Sequence, residues 1–127
     1  MGSTAAKKVM RDVFLAFARV HVLHHAARES IFGLEMMDEL KRHGYELGPG
    51  TLYPLLHALE RSGALVASDK VVGGKVRKYY RATKAGEAML REVRAKIDEL
   101  VDEVCEHDPP GAHRGRQPGR ATRVRRS

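Results

Sequence analysis

Residues 49–63 read PGTLYPLLHALERSG, and what this stretch becomes decides the fold. Leu52, Leu55, Leu56 and Leu59 recur at helical spacing, which predicts an amphipathic helix. Two features set it apart from an ordinary surface helix. Pro54 lies inside the run, and the outward positions Thr51, Tyr53 and His57 carry hydroxyls and an imidazole rather than a Lys/Glu mixture. A proline in a first turn costs little, because the first N–H groups of a helix have no intrahelical acceptor. The remaining amides and the positive dipole end can face an anion such as phosphate. Hydroxyls beside them fix register on a nucleic-acid backbone. The low charge suits a helix entering a groove, where apolar and hydroxyl groups read base edges.

Upstream, Met36, Met37 and Leu40 form the inward set of a helix expected over residues 34–43, with Gly44 as its stop. The loop YELGPG joins it to the quoted stretch, giving helix, short Gly/Pro turn, helix: a helix-turn-helix. Downstream, residues 64–83 hold two β-prone runs around Gly73-Gly74, a dipeptide suited to a tight hairpin. Lys70 near the tip and Lys75, Arg77, Lys78 and Arg81 on the return strand make this hairpin basic. Tyr79 and Tyr80 alternate faces there, so one belongs to the core and the other is half exposed. A helix-turn-helix followed by a basic hairpin is the order of a winged helix.

Two longer helices flank this unit. Over residues 8–28 the apolar positions, Phe14 and Phe17 among them, point nearly all round the cylinder, which implies burial against a second subunit as well as the chain's own domain. Over residues 84–106, with Thr83 as N-cap, Leu90, Val93, Ile97, Leu100 and Val104 form a heptad-like seam. A helix of ~22 residues is about 33 Å long, more than so small a domain can cover, so this seam also asks for a partner.

The chain has 127 residues and a net charge of +7, which favours acidic partners such as nucleic acid. The excess is local. Residues 107–127 carry six Arg against one Asp, leaving seventeen basic and fifteen acidic residues elsewhere. This Pro/Gly/Arg tail cannot offset its ordering entropy and is expected to be disordered. A lone cysteine, Cys105, excludes an intrachain disulfide and fits a reducing compartment. There is no membrane-length apolar run and no secretory pattern, so the expectation is a cytoplasmic protein.

GPGTLYPLLHALERSGALV (residues 48–66), the basic Gly-Gly hairpin and YYRATKAGEAML (residues 79–90) together resemble the PadR family of bacterial transcriptional regulators. The pattern falls on Gly50, Leu52, Tyr53, Pro54, Leu56, Leu59, Glu60, Gly63 and Leu65, then on Arg77, Tyr79, Tyr80, Thr83 and Gly86. The similarity runs from about Val20 to Val104. It implies an N-terminal winged-helix DNA-binding domain and a single C-terminal dimerisation helix. It further implies a dimeric repressor of a palindromic operator, released by a small molecule. By that resemblance Gly50, Thr51 and Tyr53 contact the DNA backbone and Lys75, Arg77 and Lys78 support it.

The expected architecture is therefore mainly α with a small β-hairpin: a winged helix-turn-helix over residues 1–83, a dimerisation helix over 84–106 and the tail over 107–127. The DNA-facing set is Gly50, Thr51, Tyr53, Pro54, His57, Lys70, Lys75, Arg77 and Lys78 on double-stranded DNA. Phe14, Phe17, Leu90, Val93, Ile97, Leu100 and Val104 are assigned to the homodimer. A small-molecule effector would need a cavity lined by Phe14, Phe17, Leu90, Val93 and Ile97. No cofactor is called for. His21 and His25 stand at i,i+4 as in helical metal sites, and with Cys105 and His107 they form an alternative, metal-responsive reading. A packing role for those histidines is the competing one. No catalytic constellation is present, so an enzyme is not expected. The rival from another class is a winged helix that binds protein rather than DNA.

Overall fold

The computed structural model describes residues 3–105, so the expected tail, with His107, lies outside the described residues. In chain order the elements are α1 (Thr4–Arg28), β1 (Ile31–Phe32), α2 (Gly33–Arg42), α3 (Pro49–Arg61), β2 (Leu65–Val72), β3 (Lys75–Ala82) and α4 (Lys84–Val104). The described residues divide into two compact units within α4, one up to Glu87 and one from Ala88.

The first unit is three helices on a three-stranded antiparallel sheet of order β1-β3-β2. Its core is aliphatic: Leu52, Leu55, Leu56 and Leu59 of α3 meet Met36 and Leu40 of α2, and Tyr80 of β3 is buried with them. On α1 the buried positions Ala18, Val22 and Ala26 stand four apart, and two of them are alanine, which lets this helix lie close on the sheet. As expected, one of the adjacent tyrosines is core and the other, Tyr79, only half-buried. The hairpin closes through Gly73 and Gly74 at φ +60 and +79, the pair of positive values a two-residue primed turn requires.

Three details differ from the sequence expectation. Helix α1 begins at Thr4, one turn early, because the Ser3 hydroxyl accepts the Ala6 amide at 3.1 Å and caps it. The two-residue β1 was not foreseen; it adds Ile31 and Phe32 to β3 opposite Tyr80 and Tyr79. Helix α3 begins at Pro49, so Pro54 stands in its second turn, not its first. There the missing N–H deprives the Gly50 carbonyl of its i+4 donor.

Thr83 caps α4 as expected: its hydroxyl accepts the Gly86 amide at 3.0 Å and donates to the Gly63 carbonyl at 2.5 Å. That single hydroxyl ties the start of α4 to the end of α3. In the second unit Leu90 is buried, Val93 and Ile97 are half-buried, and Leu100 and Val104 are exposed. No helix among the described residues is long and apolar enough to cross a membrane.

Candidate nucleic-acid interface

The front of α3 is short of donors. Pro49 has none, and the Thr51 and Leu52 amides both donate to the Gly48 carbonyl, at 3.1 and 2.9 Å. Among the described residues this leaves the Gly50 amide as the open donor at that end, with no acidic side chain in the first turn to compete for it. An anion approaching this end would therefore meet side-chain hydroxyls more than a nest of amides. Thr51 and Tyr53 are half-buried, while Pro54 and His57 are exposed, and the Tyr53 and His57 rings lie 6.4 Å apart.

Tyr53 is held by a residue that the sequence reading passed over. Its ring lies on the Cα of Gly33, the buried first residue of α2. A Cβ built on Gly33 would meet the Tyr53 hydroxyl oxygen first and would stand 2.6 and 2.7 Å from Cε1 and Cζ of that ring, far inside the ~3.5–4.0 Å of a carbon–carbon contact. Glycine at position 33 thus allows the two helices of the motif to close with the tyrosine between them. The hydroxyl oxygen is the Tyr53 atom nearest Gly33, and after burial and Glu60 its proximity adds to the raised pKa of the buried Tyr80.

The wing is organised by register. Lys70 pairs with Arg77, Ser68 with Tyr79 and Val72 with Lys75, and β1 brings Phe32 opposite Tyr79. Because side chains alternate along a strand, Lys70, Lys75, Arg77 and Arg81 share one face with Phe32 and Tyr79. On that face Lys70 Nζ lies 4.6 Å from the centre of the Tyr79 ring, and the Arg77 guanidinium carbon 4.7 Å from that of Phe32. The two rings are themselves 5.4 Å apart. Cations stacked on aromatic faces keep their charge and lose freedom, so this face presents positioned positive charge.

Lys78 is the exception among the expected wing cations. It lies on the opposite face, directly across from Asp69, so it does not join Lys70, Lys75 and Arg77. Arg81, outside the expected DNA-facing set, stands on that face in place of Lys78. The alternation was visible in KVRKYYRA; what the sequence lacked was the pairing with Ser68 to Val72 and the hidden strand bearing Phe32.

The histidines gather differently from expectation. His21 and His25 of α1 meet His43, the residue that closes α2, and one nitrogen from each of the three lies within 4.8 Å of the others. The His21 and His43 rings stack at 4.6 Å, and Tyr45 meets His21 edge-on at 5.1 Å. Burial first, and then the neighbouring His43 and His24, hold His21 below the ordinary histidine range. Burial likewise lowers His25, opposed by the Glu39 carboxylate and aided by His21, His43 and Arg28. Cys105 belongs to the second unit. A cleft of about 600 Å³ opens beside the cluster, between α1 and the α2–α3 loop, lined by Met10, Phe14, His43, Tyr45 and Leu47 among others. Of the residues expected to line an effector cavity it contains Phe14 alone.

Comparison with known proteins agrees with this geometry. The profile of the Transcriptional regulator PadR-like family matches residues 22–92. The transcriptional regulator Rv3488 of Mycobacterium tuberculosis is 50% identical over 95 residues, 75% of this chain and 89% of that protein. A crystal structure of a PadR family transcriptional regulator from Eggerthella lenta superposes with a TM-score of 0.64 at 33% identity, covering 82% of this chain and 96% of its own. A PadR-like transcriptional regulator from Bacillus cereus shares the fold, with a TM-score of 0.66 at 22% identity over 76% of this chain and 99% of its own.

Proposed function

The chain belongs to the PadR-like family of transcriptional regulators, and from that premise we propose that it is a dimeric, cytoplasmic DNA-binding repressor of a palindromic operator, relieved by a bound effector. One observation carries the reading: a recognition-helix front bearing Thr51, Tyr53 and His57, followed by a wing whose Lys70, Lys75, Arg77 and Arg81 share one face. On this reading α3 enters the major groove, Tyr53 and the Gly50 amide hold phosphate oxygens, and the wing follows the backbone. Two-fold symmetry of the operator then follows from two-fold symmetry of the dimer.

Dimerisation is supported by what the isolated chain leaves in water. Val9, Met10, Val13, Phe14 and Phe17 of α1 are all exposed, and at 100° per residue they fall within an arc of about 140°. In the second unit Leu100 and Val104 are 49% and 55% exposed. Contiguous apolar arcs of this kind mark interaction surfaces. An effector has room in the cleft beside α1.

The test is a mobility-shift titration of the full chain, and of a chain ending at Asp108, against its own upstream promoter and a scrambled duplex over a range of salt. Preference for the promoter that survives removal of the tail, with a steep negative salt slope, is the expected result. Equal binding to both duplexes, lost with the tail, would reduce the chain to an Arg-rich polyanion binder and favour the protein-partner alternative.

A further inference from the structure

We propose that His21, His25 and His43 form a site for one divalent transition-metal ion, joining the middle of α1 to the end of α2. The three imidazoles come from two elements and offer nitrogens within 4.8 Å of one another. The Glu39 Oε2 lies 3.9 Å from His25 Nε2, too far for a hydrogen bond, and its other oxygen is paired with Arg42, so this carboxylate stands beside the three nitrogens rather than among them.

A second, independent observation points to a ligand. His25 Nε2 is buried and has no hydrogen-bond partner among the described residues. The large majority of buried side-chain polar atoms are bonded, because an orphaned one costs ~1–3 kcal/mol. A metal ion supplies the missing partner.

The donor set fixes the class of ion. Three imidazole nitrogens suit Zn²⁺, Co²⁺ or Ni²⁺ and disfavour the oxygen-seeking Ca²⁺ and Mg²⁺. At Zn–N distances of about 2.0–2.1 Å, tetrahedral ligands stand about 3.3 Å apart, so the cluster must contract on binding. The part free to move is His43, exposed at the C-terminal cap of α2 beside the open cleft that gives an ion its path inward. Contraction there draws the end of α2 toward α1. Since α2 is the first helix of the helix-turn-helix and its other end carries Gly33 under Tyr53, the ion is placed to act as the effector. That regulatory step rests on the DNA-binding reading above; the metal site does not.

The test uses tag-free full-length protein stripped with a chelator. Cobalt(II) is titrated by visible absorption and zinc(II) by calorimetry, on the native chain and on His43→Gln, His21→Gln and Cys105→Ser. The expected result is one ion per chain, visible cobalt bands without a thiolate charge-transfer band, and unchanged affinity in Cys105→Ser. His43→Gln, whose exposed position leaves folding intact by circular dichroism, should lose more than the roughly 10- to 100-fold that removal of an outer-shell partner costs. Absence of saturable binding, unchanged affinity in both histidine variants, or loss of binding in Cys105→Ser would each overturn the site. A parallel measurement of promoter affinity with and without zinc separates the two claims. A chain that binds cobalt as described but no DNA would overturn the regulator and leave the site standing.

Discussion

Replacing Tyr53 by phenylalanine removes one oxygen and leaves the ring on Gly33. Since the side chain is half-buried, the folded state should lose little, within about 0.5 kcal/mol. DNA binding should lose much more. A hydrogen bond to a charged acceptor contributes about 1.5–3 kcal/mol, so affinity should fall roughly 10- to 150-fold for each half-site occupied. Gly33→Ala perturbs the same pairing from the other side. The new Cβ would meet the hydroxyl oxygen first and stand 2.6 Å from Cε1 of the ring, forcing the tyrosine away without removing its hydroxyl. Overpacking costs about 1–3 kcal/mol, offset in part by the ~1 kcal/mol better helix propensity of alanine. If the ring's seat on Gly33 is what aims the hydroxyl, the two substitutions act on one interaction and their effects on affinity cannot add. The assay is fluorescence anisotropy on a promoter duplex alongside thermal unfolding, for both single variants and the double. Affinity losses that sum in the double variant, or a Tyr53→Phe variant whose stability falls as far as its affinity, would refute the reasoning.

Three further outcomes are expected. Thr83→Val removes the hydroxyl that caps α4 and binds the Gly63 carbonyl; thermal unfolding should show a loss of about 0.5–2 kcal/mol with promoter preference over scrambled DNA intact. Arg77→Ala should reduce the slope of log K against log salt by about one for each phosphate that the arginine neutralises, whereas Lys78→Ala, on the Asp69 side of the wing, should change it much less. Equal slopes for the two would remove the distinction between the faces. Leu100→Asp with Val104→Asp places charge on positions already exposed in the single chain, so light scattering should find a folded monomer, and a dimer of unchanged mass would place the interface elsewhere.

The outline of the fold was legible wherever one residue's neighbours along the chain decide its fate. Helical spacing in residues 52–59, the Gly-Gly turn and the Thr83 cap are local signals, and each element formed close to where its pattern placed it. What escaped were meetings between elements. Gly33 gave no sign of its purpose, because the ring it accommodates stands twenty residues away. Strand β1 is two residues long, too short for alternation to show, yet it carries the Phe32 ring on which Arg77 stacks. His43 was overlooked for the same reason: it completes no spacing motif with His21 and His25, and only the packing of α2 on α1 brings it to them. The reading of Pro54 failed differently. Its helix starts at a second proline, Pro49, whose fixed φ suits a first helical position, and that moved every later residue one turn further in.

If an ion at the histidine cluster governs DNA binding, the coupling must be the same measured from either end. An effector shifts an equilibrium only by its differential affinity for the two states, and the factor by which zinc changes promoter affinity must equal the factor by which promoter DNA changes zinc affinity. A tenfold effect corresponds to about 1.4 kcal/mol, a size that a small movement of α2 can supply, since one hydrogen bond to phosphate from Tyr53 is worth as much. The zinc affinity of the native chain should therefore be measured with and without saturating promoter duplex, and the promoter affinity with and without saturating zinc. His43→Gln should reduce both ratios to one while leaving promoter affinity in the absence of zinc unchanged. Unequal ratios would mean that zinc acts at some second place, and equal ratios that persist in His43→Gln would move the coupled site away from this cluster.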